Sequence, residues 1–254
     1  MQKVHLLLKK EELNEEKIEA GKKIAVVLDV LLATTTITSA LHNGAKEVIP
    51  VMDSKEALEV AKTVSDMDCI IAGEFEAKPI DGFVYPSPTL IGTMVKNKTL
   101  ILSTTNGTVA LRKSAGASKV YIASLVNNPY VAKEIQKEKD AETIVVVCSG
   151  NSSGFSMEDF YGAGHFIECL VEDNRDEYEL TDSALAALMF YQGRPEDAKH
   201  TLADSRVGRM FHRHDGEADL ELAAEKGAIN LVPTLKDGRV VNSGGSIEVN
   251  TTTR

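Results

Sequence analysis

The sequence predicts an α/β protein with three layers, α/β/α, around a mainly parallel or mixed sheet that could consist of two related subdomains. Three observations support this prediction. Short apolar runs rich in β-branched residues recur along the chain, and helical patterns separate them. The chain has 254 residues, 43% of them hydrophobic and 26% charged, which is an ordinary globular composition. Strands that are apolar throughout are buried on both faces, as in a parallel sheet covered by helices.

The individual elements follow from the same patterns. The predicted strands are 23–28, 47–51, 69–72, 99–102, 119–122 and 143–147. The predicted helices between and after them are 34–41, 54–64, 105–115, 128–138 and 156–171. Residues 182–224 read as several short helices, and a strand pair at 231–233 and 239–240 flanks a turn at 236–238. We predict one domain over 1–241, which could divide into lobes of about 1–140 and 141–241, and a loosely ordered tail at 242–254.

The chain is acidic, with 28 basic and 38 acidic side chains and a net charge of −10. The whole excess lies in the second half, because residues 1–127 carry 15 of each sign and residues 128–254 carry 23 acidic and 13 basic ones. Acidic proteins repel nucleic acid and anionic membranes, so neither is an expected partner. No apolar run approaches the ~18 residues of a membrane span.

The three cysteines, Cys69, Cys148 and Cys169, form no metal-binding pattern and fit reduced thiols. Together with the short, charge-bounded apolar run at the N-terminus, they lead us to expect a cytoplasmic protein. The sequence leaves open whether the chain forms a homo-oligomer.

Polar residues follow the first predicted strand, where ligands of parallel sheets bind. Asp29 comes directly after this strand, and Thr34 and Thr35 lie at the start of the next helix. A carboxylate in this position can bind a divalent cation or attack phosphorus, and hydroxyl and N–H groups at a helix start can hold phosphate. The alternative is an ordinary capping cluster beside a surface aspartate.

A second cluster, 103–108, reads Ser-Thr-Thr-Asn-Gly-Thr between a buried strand and a helix. Five of its six side chains can form hydrogen bonds, whereas a helix cap accounts for about one. The run therefore predicts a cradle for an oxyanion. Glu74 follows a further strand, ahead of a Gly- and Pro-containing segment at 81–88 that could be an active-site loop or an ordinary one.

Another cluster begins with Ser149 and Gly150 and leads to a helix whose first turn carries Glu158 and Asp159. These carboxylates could bind a metal if Asp29 lies nearby, or they could complement the helix dipole behind an N-cap at Ser156. The signatures of thiol phosphatases, of DxDxT phosphatases and of P-loop proteins are absent from the sequence.

Taken together, these segments resemble the 2-phosphosulfolactate phosphatase family over about residues 3–241. The most specific piece is Thr-Thr-Asn-Gly-Thr at 104–108. The other matching segments, in chain order, are 29–36, 72–74, 81–83, 87–88, 123–127, 150–159, 162–164, 205–209, 219–220 and 232–233. The resemblance implies an α/β/α fold and Mg²⁺-dependent hydrolysis of 2-phospho-3-sulfolactate, or of a related phosphorylated hydroxyacid, to 3-sulfolactate and phosphate, a step toward coenzyme M.

The resemblance also implies roles for particular residues. Asp29 and Glu74 would be catalytic, Asp29 either as a ligand of Mg²⁺ or as a covalent nucleophile. Metal ligands would be Asp29, Glu74, Glu158 and Asp159. The small anionic phosphorylated substrate would be held by Thr34, Thr35, Thr104, Thr105, Asn106, Gly107, Thr108, Ser149, Gly150 and Arg206.

The chain departs from the family pattern at three places. Members usually carry Arg at the position of Leu32, Gly-Asn at the position of Tyr85-Pro86, and an Arg within the loop that here reads 151–153. Arginine is the natural bidentate partner of phosphate and sulfonate. The alternative function is therefore a catalytically degenerate member that binds a phosphorylated or sulfonated metabolite.

Overall fold

The computed structural model describes residues 1–64, 68–152, 154–211 and 216–244. Within this part of the chain, eleven strands form one open mixed sheet and helices cover it. The strands are β1 Gln2–Leu7, β2 Lys23–Leu28, β3 Glu47–Val51, β4 Cys69–Phe75, β5 Lys78–Pro79, β6 Thr99–Ser103, β7 Lys119–Ala123, β8 Thr143–Cys148, β9 Tyr178–Leu180, β10 Pro233–Lys236 and β11 Arg239–Asn242. The helices are α1 Glu15–Glu19, α2 Ala33–His42, α3 Ser54–Ala61, α4 Pro88–Met94, α5 Gly107–Lys113, α6 Asn128–Ile135, α7 Met157–Val171, α8 Asp182–Gln192, α9 Ala198–Asp204, α10 Arg206–Phe211 and α11 Glu217–Ala224.

The strand order is β5-β4-β6-β3-β11-β10-β7-β2-β8-β1-β9. The group β4, β6, β3 is parallel, and so is the group β7, β2, β8, β1, β9. The antiparallel hairpin β10–β11 lies between the two groups and pairs antiparallel with both. The C-terminal hairpin therefore lies between two strands of the N-terminal half, β3 and β7, within the same sheet.

Alternate side chains of each strand pack against different helical layers, as the period of two requires. In β2, Val26 and Leu28 pack on the layer that contains α6, α7 and α8. Ala25 and Val27 face the layer that contains α2, α4 and α5. The prediction of three α/β/α layers around a mixed sheet is thus confirmed.

The helices α9, α10 and α11 form a cap beside the end of β2. Leu202, Phe211 and Leu220 of these helices pack with Leu31 and Leu32 of the loop that follows β2. This small hydrophobic core holds the C-terminal helices over the region where the polar clusters were predicted.

The six predicted strands and the five predicted helices all exist, with ends that differ by a few residues. The sequence analysis missed the strands β1, β5 and β9 and the helices α1 and α4. In β1, Lys3 and His5 interrupt the apolar pattern, and β5 and β9 have only two and three residues. The first strand of the predicted hairpin begins at Pro233 rather than at 231, and the second begins at Arg239 as predicted and continues to Asn242.

The chain after β11 is held for two more residues. The Ser243 N–H and Oγ both bond the Val232 carbonyl, and the Asn242 amide bonds Gly244. The rest of the predicted tail, 245–254, lies outside the described residues. None of the three cysteines forms a disulfide in the described part of the chain. None of the helices in the described ranges is long and apolar enough to cross a membrane.

Candidate active site

A pocket of about 940 Å³ lies where the loops after β2, β4, β6 and β8 meet α10. Six of the predicted site residues line it: Asp29, Glu74, Thr104, Thr105, Asn106 and Arg206. Its apolar wall comes from α10 of the cap, from the loop after β2 and from the segment before α4: Val207, Met210, Phe211, Leu31, Leu32 and Tyr85. The other predicted site residues lie outside this lining, and the structure brings several of them directly behind it.

Asp29 lies at the start of two helices. Its carboxylate accepts hydrogen bonds from the backbone N–H groups of Ala33, at the start of α2, and Gly107, at the start of α5. The side chain is buried, yet it borders the pocket. Burial, together with the negative charges of Glu74 and Glu158, raises the pKa of Asp29 to about 7, although the two N–H groups act in the opposite direction. Asp29 therefore combines a pocket-facing carboxylate with two helix termini that favour anions.

The raised pKa of Asp29 predicts a specific pH dependence of stability in metal-free protein. The folded state keeps a proton on Asp29 up to a pH of about 7, whereas the ordinary pKa is 3.8. Between these values the folded state binds more protons than the unfolded state, so the free energy of unfolding contributed by Asp29 falls as pH rises. Urea unfolding in EDTA at pH 5 and pH 8 should show that wild type loses more stability than Asp29→Asn over this interval. Equal losses in the two proteins would show that Asp29 has an ordinary pKa.

Glu74 joins the end of β4 to the 103–108 loop. One carboxylate oxygen accepts the Thr105 N–H at 2.6 Å, and the other accepts the Thr105 hydroxyl at 3.0 Å and the Ala77 N–H at 2.6 Å. The Thr105 hydroxyl in turn accepts the Glu76 N–H at 2.7 Å. Glu74 therefore positions the Thr105 backbone at the pocket while its own carboxylate borders the same space.

The remaining threonines of the two clusters shape the loops. Thr34 and Thr35 are fully buried, and their hydroxyls donate to the carbonyls of Asp29 and Val30. Thr108 and Thr104 bond each other reciprocally, each backbone N–H donating to the other hydroxyl. Of these four residues Thr104 alone lines the pocket. The phosphate-binding role of Thr34, Thr35 and Thr108 stays a prediction, and the structure gives their hydroxyls backbone partners.

Asp159 connects two of the loops from behind the pocket. Its Oδ1 accepts the Val30 N–H at 2.9 Å and its Oδ2 accepts the Gly150 N–H at 3.1 Å. Burial raises the pKa of Asp159, and the nearby charges of Asp29 and Glu158 raise it further. Asp29 therefore lies near Asp159 and Glu158, which was the condition for a shared metal site. Both oxygens of Asp159, however, already accept hydrogen bonds from backbone N–H groups.

Substituting Asp159 by Asn should loosen both loops. An amide offers one acceptor oxygen where the carboxylate offers two, so one buried N–H loses its partner. We expect a loss of about 1–3 kcal/mol in the free energy of unfolding, measured by urea denaturation. Asp173→Asn, at an exposed position after α7, is the matched control and should change stability by less than about 0.5 kcal/mol. Equal stability of the two variants would contradict the bridging role.

Glu158 and the start of the 149–154 loop also lie behind the lining. Glu158 is buried, which raises its pKa, and it interacts with the hydroxyls of Ser156 and Ser205. Ser156 accepts the Asp159 N–H as the N-cap of α7, as the alternative interpretation held. The Ser149 hydroxyl is buried and has no hydrogen-bond partner in the described part of the chain. Gly150 has a φ of +77°, and a Cβ there would lie 2.8 Å from the Gly154 carbonyl oxygen.

The residues present allow a limited metal site. Among the described residues, no group of three or more His, Cys, Asp or Glu side chains is arranged to hold an ion. Mg²⁺, however, commonly binds through one or two carboxylates together with substrate phosphate and water. Asp29 and Glu74 border the pocket and supply the hard oxygen donors of such a set. Asp159 and Glu158 fit this role less well, because neither of them lines the pocket.

Two polar contributors were not among the predicted site residues, although the segment 219–220 matched the family pattern. Asp219 of α11 accepts hydrogen bonds from the Ser87 hydroxyl at 2.8 Å and the Thr89 N–H at 3.0 Å, which fixes the start of α4 beside the pocket. Lys10 is buried, and its Nζ lies 2.7 Å from Asn106 Oδ1. No local pattern distinguishes Lys10 from the other lysines, and only the fold shows that it reaches the 103–108 loop.

The sequence is similar to known proteins over nearly its whole length. A sequence model of the family described as 2-phosphosulpholactate phosphatase matches residues 7–238. Three relatives are each described as a probable 2-phosphosulfolactate phosphatase. The protein of Clostridium beijerinckii is 35% identical over 94% of this chain and 98% of its own length. The protein of Clostridium perfringens strain SM101 is 36% identical over 97% of this chain and 100% of its own length. The protein of Symbiobacterium thermophilum is 38% identical over 88% of this chain and 95% of its own length.

The fold, the pocket and these relatives together define an enzyme of the phosphoric monoester hydrolase class, as the resemblance implied. The chain belongs to the 2-phosphosulfolactate phosphatase family.

Proposed function

We propose that this protein hydrolyses 2-phospho-3-sulfolactate, or a related phosphorylated hydroxyacid, to the free hydroxyacid and inorganic phosphate with the help of Mg²⁺. The observation that carries the proposal is the position of Asp29, a carboxylate that borders the pocket at the start of two helices. Helix starts attract anions, and the Thr104, Thr105 and Asn106 positions add polar groups at the same wall.

The reaction adds water to phosphorus and breaks the bond from phosphorus to the ester oxygen. In our proposal the phosphoryl group lies against Asp29 and the 103–108 loop, whose groups hold its oxygens. Mg²⁺ held by Asp29 and Glu74 would offset the phosphate charge and help to activate water. Asp29 as a covalent nucleophile is the other route that the site allows, and a trapped phosphoaspartate would distinguish it.

The other walls would bind the rest of the substrate. Arg206 and Lys78 are the cationic side chains among the described residues that line the pocket, and both are exposed toward solvent. They are the groups that would contact a carboxylate or sulfonate. The carbon skeleton of the substrate would lie against the apolar wall of the pocket, which includes Leu32 and Phe211. Leu32 and Tyr85 belong to this wall, and Asn151 and Ser152 line the pocket as well, so each of the three departures from the family pattern falls at the pocket.

A phosphate-release assay tests the proposal and separates it from the binder alternative. The purified protein is given 2-phosphosulfolactate, 2-phospholactate and 2-phosphoglycolate, with a sugar phosphate as an unrelated monoester. We expect turnover of at least one phosphorylated hydroxyacid and little or none of the sugar phosphate. Binding of a panel member by calorimetry without any phosphate release would instead identify a binding protein.

A further inference from the structure

Lys10 connects two of the loops that surround the pocket, although it does not line the pocket itself. It follows β1 at the start of a single 3₁₀ turn, and its backbone N–H donates to the Ser149 carbonyl. Its side chain is 11% exposed, and its Nζ lies 2.7 Å from Asn106 Oδ1 and 2.8 Å from Glu11 Oε1. A buried lysine of this kind has a fixed direction, unlike the mobile lysines of a surface.

The lysine determines which way the Asn106 amide points. An ammonium group can only donate hydrogen bonds, so the amide oxygen of Asn106 must face Lys10. The amide nitrogen then points away from Lys10. In the described part of the chain Asn106 Nδ2 has no acceptor, and Asn106 is a half-buried residue of the pocket wall. An unpaired N–H₂ donor beside an anion-binding pocket is suited to bind an oxyanion.

We infer that Lys10 is a positioning residue that holds the Asn106 amide with its nitrogen toward the pocket, where it donates to an oxygen of the bound phosphate. Without Lys10 the amide is free to rotate, and in the other orientation its oxygen repels the anion. The charge of Lys10 is partly offset by Glu11, so its main action is through the amide. This inference rests on the proposed function of the same pocket.

A double-mutant cycle tests the inference. The proteins are wild type, Lys10→Met, Asn106→Ala and the double variant, and the readouts are the Kd for inorganic phosphate and kcat/KM. Each single substitution should weaken phosphate binding by about tenfold, the usual effect of losing one hydrogen bond of about 1.4 kcal/mol. The double variant should bind no more weakly than Asn106→Ala, because Lys10 acts through that side chain.

Three controls make the result decisive. Lys10→Arg keeps a donor and should retain most of the affinity. Lys139→Met, at an exposed lysine that pairs with Glu177, should leave it unchanged. Thermal unfolding of all variants measures stability separately, because a merely structural lysine would change the melting temperature equally with or without Asn106.

The inference is overturned if Lys10→Met leaves phosphate affinity unchanged, if its effect persists in the Asn106→Ala background, or if wild type binds no phosphate. The proposed function fails by a different result, the absence of phosphate release from every phosphorylated hydroxyacid by a wild type that still binds phosphate.

Discussion

Asp29→Asn should lower kcat/KM for phosphate release by at least about a thousandfold, the scale of removing one main electrostatic group from an active site. The substitution keeps the shape of the side chain but removes the carboxylate that faces the pocket from the starts of α2 and α5. The loss is expected whether Asp29 holds Mg²⁺ or attacks phosphorus. Initial rates with saturating and subsaturating substrate would measure it.

The control for this substitution is Asp81→Asn. Asp81 is an exposed carboxylate outside the pocket lining, in the segment between β5 and α4. It should retain activity within about twofold, since surface substitutions have small effects. If Asp29→Asn kept more than about a tenth of the wild-type rate, Asp29 would not be the centre of the reaction.

Gly107→Ala should have the second-largest effect. A Cβ at this position would lie 2.5 Å from Asp29 Oδ2 and 2.5 Å from the Ala33 Cβ. Neither neighbour can yield without moving a helix start, so the carboxylate and the two loops are displaced. We expect about a hundredfold loss in kcat/KM from this misplacement, together with about 1–3 kcal/mol lower stability from overpacking. Kinetics and urea unfolding of the same preparation would measure both.

Gly193→Ala is the matched control, because the nearest atoms to its Cβ would be the Met189 and Phe190 carbonyl oxygens at 3.5 Å. Its φ of −68° suits any residue. The control should keep full activity. A fully active Gly107→Ala would show that the close approach of α5 to Asp29 is unimportant for the reaction.

The sequence predicted the central architecture well because the buried strands are apolar without interruption. The runs that became β2 and β8 carry β-branched residues on both faces, and helices cover both faces in the structure. It predicted the strands near the ends of the sheet poorly. In β1 the polar side chains of Lys3 and His5 alternate with buried ones, and such a short alternating pattern is shared by many loops.

The candidate site was predicted as a set of segments, and the structure brings those segments together. What the sequence could not show is where each hydroxyl or carboxylate points. Thr34 and Asp159 match the pattern of ligand-binding residues, yet in the fold they bond the backbone of the neighbouring loops. Lys10 carried no local signal, since its contact with Asn106 joins positions 96 residues apart.

The measurement that tests the central claim most directly is phosphate release from 2-phosphosulfolactate by the purified wild-type protein, followed with Mg²⁺ and with EDTA. The account predicts steady release of phosphate in a one-to-one ratio with 3-sulfolactate, lost in EDTA and restored by added Mg²⁺. If neither 2-phosphosulfolactate nor any other phosphorylated hydroxyacid released phosphate with Mg²⁺ present, the proposed activity of this pocket would be contradicted.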